Sequence, residues 1–356
     1  MFLLFADSDD TIAALGRISI SDLPQQALME LFVSGIHNHG EYTEESGDFK
    51  DLASWPGVKL NEAGEISEMD FNLLGFFAVG GTIDLKLLPQ TVEYFDARFN
   101  DLNGTVPCAL LPERLTSLRL AENSFNGTLD LAQLPKGLRH IDLSYNNFQG
   151  SANLTQLPHG LLVLDLHDNN MNGLIDLRKL PEGLQSFDLN DNAFAGEIHL
   201  TSLPSTLKSL HVQKNALDGS IHLQSLPVSM IKLDLSENRF SGEIDLNKLP
   251  PSLRFLYLQK NRLEGEVNLL YLPRDLRYLS LDWNQFSGSI DLSYLHQALR
   301  SLSINNNLFT GVLRLTEVWP SVSLKYDMND FSKVIDVHGN EVPYAREVSR
   351  EGGIDQ

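Results

Sequence analysis

Apolar residues return along this chain in one fixed phrase. It reads Leu180-Pro181-Glu-Gly-Leu184-Gln-Ser-Phe187-Asp-Leu189-Asn-Asp-Asn192-Ala-Phe194-Ala-Gly196-Glu-Ile198-His-Leu200. Around Phe187 and Leu189 apolar and polar residues alternate, which predicts a short strand. After Asn192 the period changes, and Phe194, Ile198 and Leu200 become the inward positions of a turning chain. Leu-Pro recurs with its proline at 89, 112, 135, 158, 181, 204, 227, 250 and 273, each step 23 residues. Eleven positions after each proline stands an asparagine, from Asn100 to Asn284, and four residues later a glycine. His296 replaces the next proline, yet Asn307 and Gly311 keep the register.

Such a period predicts stacked coils, because one coil cannot cover its own apolar face. Inward columns of Leu, Ile and Phe form a continuous core. The Asn column satisfies backbone groups that a buried turn leaves open. The Gly column suits positive φ or close backbone approach, and Pro sets an extended start to the next coil.

The template Leu-x-x-Leu-x-Leu-x-x-Asn-x-Phe-x-Gly-x-Ile-x-Leu resembles a leucine-rich repeat over about residues 53–337. Its Phe-x-Gly-x-Ile half is similar to the plant-type class and to related protist, kinetoplastid-like repeat proteins. The resemblance implies an α/β solenoid: a curved right-handed coil with one long parallel concave sheet, mostly strand and loop. Residues 1–61 read as an N-terminal helical cap, 62–337 as the solenoid with ten regular coils and degenerate end coils, and 338–356 as a mobile tail. Within the cap, Ala27–Phe32 and then Trp55-Pro-Gly57-Val58 are similar to the segment preceding plant-type repeats. Leu60 stands where that pattern has cysteine, so the cap disulfide is not expected. Phe77 occupies the Asn position of the first coil, and 324–331 reads as a shortened last coil.

Strand positions facing away from the core carry no packing duty in this reading, so partner choice should show there. Two zones emerge. The first is acidic with histidines: Asp142, Asp165, His167, Asp188 and Asp234, flanked by His140, Asp168, Asp191 and Lys232. It reads as a solvated face or as a site for a basic segment of a partner. A metal or hydrolytic site from these residues is not expected, because their spacing follows the repeat alone. The second zone is aromatic: Phe255, Tyr257, Tyr278 and Trp283, with Asp282 among them. Aromatic residues gathered on a sheet face supply interface energy. Tyr94, Phe99 and Tyr145 form a smaller satellite.

Composition narrows the function classes. A net charge of −20 repels phosphate backbones, so nucleic acid is not an expected partner. No apolar run has the length of a membrane span. The apolar start Met1–Phe5 lacks a basic flank and meets Asp7, Asp9 and Asp10, so it does not read as a secretory signal. Cys108 is the single cysteine, and it falls on an inward position. These features predict a cytoplasmic protein. Sequons stand at Asn103, Asn126 and Asn153, where the repeat places Asn and Gly in any case. No P-loop, Gly-x-Ser-x-Gly, His-Glu-x-x-His or zinc cluster is present, so neither enzyme nor cofactor is expected. The expectation is a non-catalytic scaffold binding a protein or peptide on its concave face, with cytoplasmic signalling as its setting. The alternative is a secreted or surface recognition ectodomain for peptide or glycan.

Overall fold

Strands three residues long, repeating every 23 positions, pair with their equivalents in the coils before and after. In the computed structural model this builds a 13-stranded sheet running from Val58–Leu60 to Ser323–Lys325. The structure describes residues 23–37, 39–72, 80–293, 295–315 and 322–343. Phe77 and residues 344–356 of the expected tail lie outside these.

Register follows the repeat. Asp142, Asp165 and Asp188 are direct cross-strand neighbours, as are Phe255 and Tyr278. The core is the expected stack: Leu164, Leu166, Phe187, Leu189, Leu210 and Val212 are all fully buried. Phenylalanines from successive coils stack behind the sheet, with 6.5 Å between Phe125 and Phe148 and 6.4 Å between Phe309 and Phe331. Cys108 is buried in the same core, and burial pushes its thiol up to about 11. Each coil closes through a turn in which the residue three after Pro donates its N–H to the proline carbonyl. His296 keeps that turn, with Leu299 N–H on its carbonyl at 3.1 Å, which explains how the register survives the lost proline.

Asparagine does what the pattern required. Asn146 Nδ2 donates to the carbonyls of Leu120, Leu143 and Ser144, while its Oδ1 accepts from Phe125 N–H at 2.9 Å. One side chain thus ties its own coil to the preceding one. The glycine four positions later has positive φ, +82° at Gly150.

Three features depart from a single parallel sheet. The end strand Val58–Leu60 runs antiparallel to Ile66–Asp70. The Phe-x-Gly stretches form two further sheets, of seven and six strands. Their pairing uses the extended backbone on either side of each glycine. Short 3-10 turns such as Leu131–Gln133 complete the coils from Leu85 to Ser225. At the C-terminal end Glu341–Val342 pairs antiparallel with Val334–Ile335, so these two residues of the expected tail form an edge strand.

Helix α1 (Gln25–Ser34) closes the other end. Its Phe32 meets Phe95 edge-on at 5.9 Å, and Tyr42 packs on Trp55 at 4.7 Å. After α1 the chain passes so close to the first coil that a Cβ on Gly35 would run into the carbonyl oxygen of Thr82. Leu60, at the cysteine position of the cap pattern, is exposed.

Candidate partner-binding face

The outward column of the long sheet begins as aspartate for a local reason. Each aspartate accepts the backbone N–H two residues on: Asp142 from Ser144, Asp165 from His167, Asp188 from Asn190 and Asp234 from Ser236. Aspartate closes such a turn well because its carboxylate reaches that N–H. The column therefore carries structural duty, contrary to the expectation that these positions are free. Asp234 is the extreme case: it is 9% exposed, bonded to the Ser236 hydroxyl at 2.6 Å, and burial raises its pKa.

Three aspartates in adjacent strands would repel one another. Each has an internal partner. The Ser144 hydroxyl donates to Asp142, His167 Nδ1 lies 2.6 Å from Asp165, and His211 Nδ1 lies 2.8 Å from Asp188. Burial raises Asp165 in spite of its histidine. Burial also works against the charged form of His167, but Asp165, Asp188 and Asp142 outweigh it and raise its pKa. At Asp188 burial pushes upward and is overcome by His211 and Asn190, leaving the carboxyl below its usual range. His140 moves the other way, lowered by burial, Arg119 and Arg139. Asp165, His167 and Asp188 each bring one ligand atom within 4.8 Å of the others. The 23-residue register already groups these three residues in one zone, and the structure adds how close their ligand atoms come.

Of the aromatic zone, Phe255 and Tyr278 meet across adjacent strands, while Trp283 stands on the opposite rim. Phe255 and Tyr278 stack at 5.3 Å with an interplanar angle of 13°. Lys232 lies over the Tyr257 ring at 5.8 Å, a cation–π contact. Tyr278 is 37% exposed and Trp283 56%, while Phe255, Tyr257 and Asp282 are half-buried. Trp283 also adopts φ +55°, a left-handed conformation that bulky side chains rarely take. The residue just before every ladder Asn shares it, including Tyr145, Asp168, Asp191, Lys214, Glu237 and Lys260. No residue preference in the sequence announced this, because the column is chemically mixed. In the satellite, Tyr145 meets His167 edge-on at 4.7 Å, which joins it to the acidic centre, whereas Tyr94 donates to Asp96.

The two rims of the sheet differ in charge. On the trailing rim, signs alternate and pair: Lys214 with Asp191 at 2.6 Å and Lys260 with Glu237 at 3.2 Å. On the leading rim, just before the strands, Lys208, Arg254, Arg277 and Arg300 recur, and in the coil between Lys208 and Arg254 that position is Ile231, with Lys232 one residue inward. Sequence reasoning noted only Lys232, and that as part of the acidic centre; a reading of the strand-start columns would have exposed the run.

No helix among the described residues is long and apolar enough to cross a membrane. No family model matches the chain, and no curated protein matches it. Solved structures do. The ectodomain of the Arabidopsis receptor kinase HAESA, solved with an IDA peptide hormone ligand, is 27% identical with a TM-score of 0.55, covering 68% of this chain and 46% of that one. PEPR1 with AtPEP1 gives 20% identity and a TM-score of 0.60, covering 86% and 52%. A plant ice-binding protein gives 23% and 0.59, covering 78% and 91%. The chain thus spans about half the length of the receptors it matches. Periodicity, Asn ladder and these likenesses agree: the chain is a leucine-rich-repeat solenoid.

Proposed function

We propose that this solenoid is a non-catalytic scaffold that holds a protein or peptide on its long-sheet face, centred on Phe255, Tyr257, Tyr278 and Trp283. The observation that carries the reading is the aromatic group itself. Phe255 and Tyr278 stack on each other rather than into the core, Lys232 lies over the Tyr257 ring, and Tyr278 and Trp283 remain exposed. Aromatic groups of this kind anchor interfaces. A basic segment of the same partner lies over Asp142, Asp165 and Asp188, reaching Asp168 and Asp191 at the rim. The 27% identical HAESA ectodomain, solved with a peptide, supports use of the repeat for peptide contact. The single buried thiol, Cys108, suits a reducing cytoplasmic setting.

The test compares partners captured by the wild type and by a Tyr257→Ala, Tyr278→Ala, Trp283→Ala variant whose fold is verified by circular dichroism. Loss of specific partners by the folded variant is expected. Identical partner sets would overturn this placement.

One observation favours a second reading, a recognition module outside the cell for peptide or glycan. Asn103, Asn126 and Asn153 are all exposed, away from the long sheet. Expression through a secretory pathway and a glycosidase-sensitive mass shift would support it; an unmodified, misfolded product would count against it.

A further inference from the structure

Like charges in adjacent strands destabilise a sheet unless something neutralises them. The acidic centre has its neutralisers inside the molecule, as histidine and serine partners. Cations of the leading rim do not. None of Lys208, Lys232, Arg254, Arg277 or Arg300 makes an ion pair among the described residues. Their proximity is fixed by the backbone: Arg277 N–H donates to Arg254 O at 2.8 Å, and Arg300 N–H to Arg277 O at 2.7 Å. The three arginines and Lys208 are exposed, and Lys232 is half-buried over the Tyr257 ring. In the turns just before these five strand starts the only carboxylate is Asp275, and Arg274 stands beside it. Solubility does not account for the row, since the chain already carries a net charge of −20.

We infer that the leading rim from Lys208 to Arg300 is a docking track for an acidic, extended peptide segment of the partner. Charge complementarity selects the occupant. Five coils at the spacing of paired strands span about 19 Å, the length of about six extended residues. Carboxylates on such a segment meet a guanidinium at each of three successive coils, and arginine holds carboxylates in bidentate fashion. Phe255 and Tyr278, one residue inward from Arg254 and Arg277, offer their stacked rings to apolar residues of the same segment. The track rests on the reading of the long-sheet face as a contact face, but its three arginines lie outside the aromatic triple variant and the acidic centre.

The experiment measures fluorescence anisotropy of a labelled twelve-residue Glu-rich peptide, beside the same peptide with Gln for Glu. Wild-type protein and an Arg254→Ser, Arg277→Ser, Arg300→Ser variant are compared at low and high salt. The Glu peptide should bind the wild type about tenfold tighter than its Gln counterpart or better, with the difference shrinking in high salt and lost in the variant. Relief of repulsion leaves the variant's melting temperature unchanged or higher, so a folding failure is visible separately. Equal binding of the two peptides, or undiminished binding by the variant, would overturn the track. Tighter binding of a heparin fragment or single-stranded RNA of equal charge would overturn its assignment to a peptide. Retained peptide binding in the aromatic triple variant, with partner capture lost, would separate the track from the wider face.

Discussion

The acidic centre and the C-terminal end of the same sheet share one backbone plan and use it in opposite ways. In the centre, charged side chains turn back on the protein: Asp165 to His167, Asp188 to His211, Asp234 to Ser236. At the C-terminal end the column changes to Tyr257, Ser280 and Ser303, the rings of Phe255 and Tyr278 lie beside it, and arginines line the rim without an ion pair among the described residues. Identical strands therefore carry a self-satisfied surface in one place and an unsatisfied one in another.

The largest effect tests what the two regions have in common. Asn169→Ala under the acidic centre and Asn284→Ala under the aromatic end each orphan several buried backbone groups. Both should lose on the order of 3 kcal/mol or more, at 1–3 kcal/mol per orphaned group, in denaturant unfolding. A large inequality would mean that the two ends are not held by the same ladder.

Next in size is the contrast itself. Asp188→Ala removes the acceptor for His211 and for Asn190 N–H, so it should cost about 1–3 kcal/mol in stability. Tyr278→Ala, on an exposed ring, should cost well under that and instead weaken partner capture. A destabilising Tyr278→Ala with an indifferent Asp188→Ala would reverse the comparison.

Trp283→Asn sharpens it further. Asparagine tolerates the left-handed conformation better than tryptophan, so the variant should gain about 0.5–1 kcal/mol while losing partner affinity. A residue that strains the backbone and stays exposed is better explained by contact than by folding.

The smallest effect is in pH. His167 has a raised pKa in the folded state, so its contribution is complete below the unfolded value near 6.5 and fades as pH rises through the folded one. His140, lowered by burial, Arg119 and Arg139, pulls the other way. Referred to a His167→Gln variant, the wild type should therefore gain on the order of 1 °C in melting temperature between pH 7.5 and 6. A gain in the opposite direction would remove the Asp165–His167 pair from the account.

Columns that recur in nearly every coil were legible in the sequence. Pro181, Asn192 and Gly196 state their roles because the same geometry is needed in every coil, and Cys108 could be placed inside by register alone. The Phe255–Tyr278 contact was legible for the same reason, since equivalent positions of adjacent coils must be neighbours. What escaped was anything decided by pairs of residues rather than by columns. Asp234 looked free because its partner Ser236 is an unremarkable residue two places on. The His211–Asp188 bond joins different coils and different residue types. The side sheets depend on backbone extension around Gly150 and its equivalents, and the edge strand Glu341–Val342 on a polar segment that resembles a tail.

Hydroxyl-radical footprinting of the protein with and without a captured partner tests the central claim most directly. Phe255, Tyr278 and Trp283 should become protected, while Tyr271 and Leu174, exposed outside the long-sheet strands, keep their reactivity. Protection of Tyr271 and Leu174 with the three aromatic residues unchanged would contradict it.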